Sequence, residues 1–267
     1  MNLVDMHVHS IFSFDGKDSL LQECKAALEK ELCGICFTEH FSVDEFDVSY
    51  GVLDYTNYRK QVSCCQKKYA GRLSICCGLE IGEPHLVKCQ KALKKALQNM
   101  QLDFIIGSIH NIGSKKIRLF MQGKTKEEIY RAYFNEVLLM VQTADIDVIG
   151  HLDLAKRYAF SEVGDYSFPQ YEEQIRKILR CAIDRNIGIE VNTSGWRNAV
   201  KKPYPSFEVL SLYRQLGGKY ITLGSDAHNA KDIGADFIKT EKLLRKSGFK
   251  ESYKYYARKA QILPFVL

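Results

Sequence analysis

The chain has 267 residues, 46% of them hydrophobic and 26% charged, with a formal net charge of +6. This length suits an α/β barrel and lies near the upper limit for one hydrophobic core, so we expect a single domain over residues 1–267. No run of about 18 apolar residues and no basic-then-apolar leader occurs, which excludes a spanning helix and points to a soluble, cytoplasmic protein without a membrane partner.

Strand-like apolar runs alternate with segments of helical period. Strands are expected near 2–9, 34–39, 73–81, 104–109, 147–152, 187–192 and 220–225. Helices are expected near 19–31, 56–70, 86–99, 126–143, 170–186, 206–216 and 231–247. The first run, LVDMHVH, closes on His7 and His9, which strand alternation sends to one face. GICFTEH then supplies His40, ICCGLEIG Glu80, FIIGSIH His110 and DVIGHLD His151, and TLGSDAH closes on Asp226 and His228. Strict βα alternation implies a parallel sheet, and seven units without a nucleotide-binding glycine fingerprint favour a closed barrel.

In such a barrel the active site lies at the C-terminal ends of the strands, where each of these residues falls. One histidine there is ordinarily a satisfied core residue. Six in the same register, with acidic partners, are the donor set of a cluster of divalent metals in a hydrolytic site. Nine cysteines, including the adjacent pairs Cys64/Cys65 and Cys76/Cys77, suit reduced thiols better than a disulfide framework. Cys33 and Cys36 form a CxxC without a second pair, at the entry of a strand. The positive charge falls on solvated faces such as KCQKALKKALQ. Aromatic residues do not interleave with it, so we expect no nucleic-acid partner and at most an attraction for anionic substrates.

The order HVH, TEH, GLEIG, GSIHN, GHLDL and SDAH resembles the polymerase and histidinol phosphatase (PHP) superfamily. FSFDGK, GHLDLAKRY and EVNTSGWR are similar to its monofunctional histidinol-phosphatase branch. The resemblance implies a distorted seven-stranded TIM-like barrel with three divalent metal ions, zinc first, with iron or manganese also compatible with the donors. Carried over by position, it implies one metal on His7, His9, Glu80 and Asp226. A second would share Glu80 and add His110 and His151, and a third would take Asp15, His40 and His228. The implied reaction is hydrolysis of L-histidinol phosphate, a small phosphomonoester, by a metal-activated hydroxide, with Glu80, Asp226 and His228 as catalytic residues. Arg157 and Arg197, just past strand ends, would bind phosphate through their planar forks.

Asp5 and Asp153 stand two residues from His7 and His151, on the same strand faces, where each could orient an imidazole. Glu190 and Asn192 could do likewise or meet the substrate. Asp44, Glu45 and Asp47 form an acidic loop that could overhang the mouth and receive a cationic amine. His85 reads as structural or exposed. Three other readings compete. One is a PHP phosphoesterase acting on nucleotides or phosphotyrosine. Another is an amidohydrolase, whose bridging strand-end lysine this chain lacks. The last is a noncatalytic metal module, disfavoured by the full ligand set. The C-terminal YYARKAQILPFVL reads either as a helix or as a closure of the barrel bottom.

Overall fold

The computed structural model describes residues 2–265. Seven parallel strands form one sheet in chain order: β1 (Val4–Val8), β2 (Gly34–Phe41), β3 (Ser74–Gly82), β4 (Phe104–Ser108), β5 (Val148–Ile149), β6 (Gly188–Asn192) and β7 (Ile221–Gly224). Each lies inside or within two residues of its expected run. The barrel is nearly closed, as its distorted form implied. No ladder joins β7 to β1; instead the chain just past β7 makes a bridge from Ala227 to Val8. His9 N–H donates to the Ala227 carbonyl at 2.8 Å and Asp226 N–H to the His7 carbonyl at 2.9 Å.

The seven expected helices are present. Their logic is local: Ser19 and Thr125 cap helices Leu20–Glu29 and Lys126–Thr143 in reciprocal capping boxes with Gln22 and Glu128. Helix Phe168–Asp184 buries Tyr171, Ile175, Ile178, Leu179 and Ala182, a single stripe at helical spacing. The last expected helix begins late, at Phe237, because Gly234 and Asp236 both take positive φ and break the segment after a short turn at Ala230–Asp232. Helices Ile117–Phe120, Ala155–Val163 and Ser194–Arg197 were not expected, being too short to carry a clear periodicity. No helix among the described residues is long and apolar enough to cross a membrane.

The C-terminal segment is not a helix but closes the barrel bottom. It is an antiparallel hairpin, Glu251–Tyr256 with Lys259–Pro264, turning at Ala257 and Arg258, both at positive φ as a tight hairpin requires. Val266 and Leu267 of the expected segment lie outside the described residues. Tyr253, Tyr255 and Leu263 pack with Val4, Met6, Cys36, Cys76, Phe104, Ile106 and Val148 in a core of their own at the base of the barrel. The larger core lies between the strands and the helices. Arg258 pins the hairpin turn to Asp147 at 2.6 Å and Asp145 at 2.9 Å.

The Tyr255 ring is buried with its centroid 4.9 Å from that of Phe104. Tyr255→Ala is expected to lower unfolding stability by about 3–4 kcal/mol, as other large-to-small core changes do. Urea unfolding followed by circular dichroism checks this, and a loss under about 1 kcal/mol would mean the hairpin adds little to the core.

Candidate active site

β1 is irregular in a way that shapes the site. Asp5 pairs with Ile35 but Val8 with Phe37, so β1 carries one residue more than β2 over that interval. An inserted residue reverses the alternation beyond it. Val4 and Met6 therefore face the lower core, and His7 and His9 still face inward above them, while Asp5 points out of the barrel. His40 is the penultimate residue of β2, Glu80 lies near the end of β3, and His110, His151, Asp226 and His228 follow β4, β5 and β7. His151 and Asp226 both stand at positive φ, 24° and 54°. Such backbone costs on the order of 1–3 kcal/mol per residue and is characteristic of sites whose surroundings fix it.

These residues surround a cavity of about 290 Å³ whose wall includes Asp15, His40, Glu80, His110, His151, Asp226 and His228. His7 and His9 lie beneath it, wholly buried. Glu80, also buried, is the hub. Its Oε2 lies 2.9 Å from His40 Nδ1, 3.4 Å from His9 Nε2 and 3.5 Å from His7 Nε2. Its Oε1 lies 2.9 Å from His151 Nε2 and 3.4 Å from His110 Nε2, and accepts from the Ser108 hydroxyl. Each oxygen thus serves a different set of imidazoles.

Hydrogen bonds on the far side of three rings fix their tautomers. His7 Nδ1 donates to Glu190 Oε1 at 2.6 Å. Ser13 gives its hydroxyl hydrogen to Glu39 Oε2, so at His9 Nδ1, 3.1 Å away, it can only accept. His228 Nδ1 donates to the Asp226 carbonyl at 3.0 Å. In the neutral ring each Nε2 then presents a lone pair inward, and those of His7 and His9 face each other at 3.0 Å beside Glu80 and Asp226. Imidazole nitrogens and carboxylates that converge on one point are the chemistry of a cation site.

Ligand atoms gather into three groups, each within 4.8 Å: His7, His9 and Asp226; Glu80, His110 and His151; His9, His40 and His228. Asp15, expected in the third group, lies 3.5 Å from His40 Nε2 and 3.2 Å from His228 Nε2. The electrostatics agree with one another. Burial would raise the Glu80 carboxyl, but the imidazoles of His7, His110 and His40 hold it well below its usual range. Burial pulls His40 down, yet Glu80 and Asp15 lift it to about 10. His9, buried beside His40, His228 and His7, is pushed well down and stays neutral.

Glu190 proves to be the carboxylate behind His7, and its Oε2 also accepts from the His151 N–H at 2.7 Å and from Asn192 Nδ2 at 3.2 Å. Gly224 makes room for it: a Cβ there would sit 2.1 Å from Glu190 Oε1 and 2.5 Å from the His7 Cβ. Asp5 and Asp153 do not orient imidazoles. Turned outward by the bulge, Asp5 accepts from Ser225 N–H at 2.9 Å and Gly234 N–H at 2.8 Å and so holds the loop that carries Asp226. The chain has left the sheet by Asp153, whose carboxylate instead meets Lys156 at 2.7 Å and the Tyr166 hydroxyl at 2.8 Å.

The arginines separate in the same way. Arg157 lines the cavity, 4.0 Å from Asp226 Oδ2. Arg197 is not in the cavity wall: it donates to the Ser225 carbonyl at 2.6 Å and lies 3.9 Å from both Asp232 and Asp236. In this placement it braces the loop after β7, while its Nη1 makes no hydrogen bond. Of the acidic loop, Asp47 lines the cavity and Asp44 is paired with Lys88. His85 is buried against Glu136, 2.8 Å away. Lys116, Arg118, Tyr158 and Phe14 also line the cavity and were missed; the basic run KKIR just past the His110 motif was the available signal.

Residues 5–194 match the PHP domain family. A histidinol-phosphatase of Lactococcus lactis subsp. lactis is 30% identical over 258 residues, covering 94% of this chain and 93% of that protein. A Clostridium acetobutylicum protein named "Probable histidinol-phosphatase" is 30% identical over 251 residues, 92% of this chain and 94% of its own length. The fold superposes on the crystal structure of the L. lactis histidinol phosphate phosphatase, solved with zinc, L-histidinol and phosphate, with a TM-score of 0.90. That match has 29% identity and covers 97% of this chain and 99% of the other.

Glu190→Gln keeps the size of the side chain but removes the charge facing His7 Nδ1. The variant is expected to fold normally and to bind zinc about 10- to 100-fold more weakly, the usual effect of losing a carboxylate behind a ligating imidazole. Competitive titration with a chromophoric chelator reads this directly, and unchanged affinity would exclude Glu190 from any role in tuning the cluster.

Proposed function

Because the chain belongs to the PHP domain family, we propose that it is a metal-dependent histidinol-phosphate phosphatase, releasing L-histidinol and phosphate. The observation that carries the reaction class is the sharing of Glu80, one oxygen toward His7, His9 and His40 and the other toward His110 and His151. The likeness to the L. lactis enzyme solved with L-histidinol and phosphate supports the substrate. In this reading the chain forms one domain, acts in the cytoplasm, where its nine free cysteines stay reduced, and takes a small phosphomonoester.

Three divalent ions fit the donors. His7, His9, Glu80 and Asp226 would hold one, Glu80, His110 and His151 a second, and Asp15, His40 and His228 a third, with His9 close by. Zinc, which the L. lactis structure contains, suits this imidazole-rich set. Bound ions of this kind acidify water and offset charge on a phosphoryl group, which is what a very slow hydrolysis demands.

The protein's own groups set the geometry. Glu190 and the Glu39–Ser13 pair hold the imidazoles of His7 and His9 in one tautomer, so the inward lone pairs are preorganised. Asp226 joins the buried floor to the mouth, being 3.6 Å from His9 and 4.0 Å from Arg157. Arg157, Lys116 and Arg118 bring positive charge to the wall where phosphate oxygens would lie. His228, partly exposed, lies 3.2 Å from Asp15 at the edge of the cavity.

Two measurements test this. Phosphate release from L-histidinol phosphate by metal-replete protein should far exceed that from AMP, phosphotyrosine and p-nitrophenyl phosphate, and should vanish on chelation. Equal feeble rates on all four would overturn the substrate, and activity that survives chelation would overturn the metal mechanism. Arg157→Ala should raise KM for phosphate esters by one to two orders of magnitude, roughly the 1.5–3 kcal/mol of a charged hydrogen bond. An unchanged KM would place Arg157 outside phosphate binding.

A further inference from the structure

Four carboxylates line the cavity: Asp15, Asp47, Glu80 and Asp226. Three of them face imidazoles of the cluster at 2.9–3.7 Å. Asp47 faces none. It comes from the loop after β2, two and three strands round the barrel from the loops that bring Lys116, Arg118 and Arg157 to the same cavity.

The loop is built to present this carboxylate. Asp47 Oδ1 accepts from the Ser49 N–H at 2.8 Å and from the Ser49 hydroxyl. Two backbone bonds tighten the turn, Asp47 N–H to the Asp44 carbonyl at 2.9 Å and Tyr50 N–H to the Asp47 carbonyl at 3.1 Å. A bridge from Ser42 to Tyr50 closes the loop on β2. Ser49 is buried, so the Oδ1 anchor is shielded from water. Among the described residues, Oδ2 receives no hydrogen bond and Asp47 has no cationic partner. Asp44, three residues earlier, is matched by Lys88 at 2.8 Å.

A free carboxylate oxygen in a phosphate-binding cavity repels an anionic substrate. The repulsion becomes selectivity when the substrate also carries a cation, since a site discriminates by what it disfavours as well as by what it attracts. We propose that Asp47 is a specificity-determining residue that receives an ammonium group on the leaving alcohol, so that the enzyme selects phosphomonoesters of amino alcohols. This rests on the phosphatase reading above and extends it to the part of the substrate that the metal cluster does not read.

Asp47→Asn keeps the Oδ1 acceptor for Ser49, and hence the turn, while removing the charge. The test compares L-histidinol phosphate with the analogue in which hydrogen replaces the amine. Wild-type protein should prefer the amine ester. D47N should lower its kcat/KM ten- to a hundredfold while leaving the analogue unchanged or improved, and D47E should recover part of the loss. A fall of equal size for both esters, or a preference that D47N does not alter, would overturn the proposal. If wild-type protein favours neither ester over p-nitrophenyl phosphate, the histidinol phosphate assignment has failed on its own. O-phosphoethanolamine against ethyl phosphate then decides the role of Asp47: an amine preference lost in D47N upholds it, and no such preference overturns it.

Discussion

Two buried imidazoles that meet nitrogen to nitrogen, with carboxylates alongside, dominate this molecule. His7 and His9 meet at 3.0 Å, out of contact with water, with Glu80 and Asp226 alongside. In an apolar interior such an arrangement is unfavourable unless a cation occupies its centre. The parallel barrel makes it attainable, because strand ends converge at one rim and let residues far apart in sequence meet there. The hairpin at the opposite end supplies Tyr253, Tyr255 and Leu263 to fill the base. Below the cluster the barrel is therefore ordinary apolar packing, and the polar chemistry is confined to one end.

A second layer of charged groups keeps those atoms in place without touching the cavity. Glu190 binds His7 through one oxygen and the backbone of His151 through the other, linking β1 to β5. Asp5 and Arg197 take Ser225 from its two sides, N–H and carbonyl, immediately before Asp226. Both fasten the positive-φ turn at Asp226 that lets its side chain return toward the barrel axis. Asp153 and Lys156 form a wholly buried ion pair beneath the segment that delivers Arg157. Such a pair adds little net stability but is costly to break on one side only, which suits a segment that must hold one conformation.

The convergence of these imidazoles and carboxylates was legible in the sequence, because a short apolar run that ends in His, Asp or Glu identifies both the strand and its end. The elements were legible for the same reason: two periodicities alternate along the chain with little ambiguity. What escaped was whatever depended on a departure from regular geometry. Alternation places Asp5 on the face of His7, and one inserted residue in β1 turns it outward. The same rule places Asp153 with His151, where the strand has already ended. Arg197 follows a strand end as Arg157 does, and spacing cannot reveal that Ser225, Asp232 and Asp236 surround it. Lys116 and Arg118 read as one more basic surface run, because nothing in KKIR indicates that the preceding turn folds it over the cavity.

The seam of the barrel lies at the site itself. β1 and β7 share no ladder, and the bonds that join their ends run between His7, Val8 and His9 on one side and Asp226 and Ala227 on the other. Four of the proposed ligands flank or form that seam. An ion drawn to His7, His9 and Asp226 would therefore act as a rivet across the last gap in the sheet. Closure and ion uptake become a single linked equilibrium, in which free metal at a hundred times its dissociation constant adds about 2.7 kcal/mol to the folded state. The supply of metal around the protein would then govern how much of it persists as a closed barrel, quite apart from how fast each closed barrel turns over.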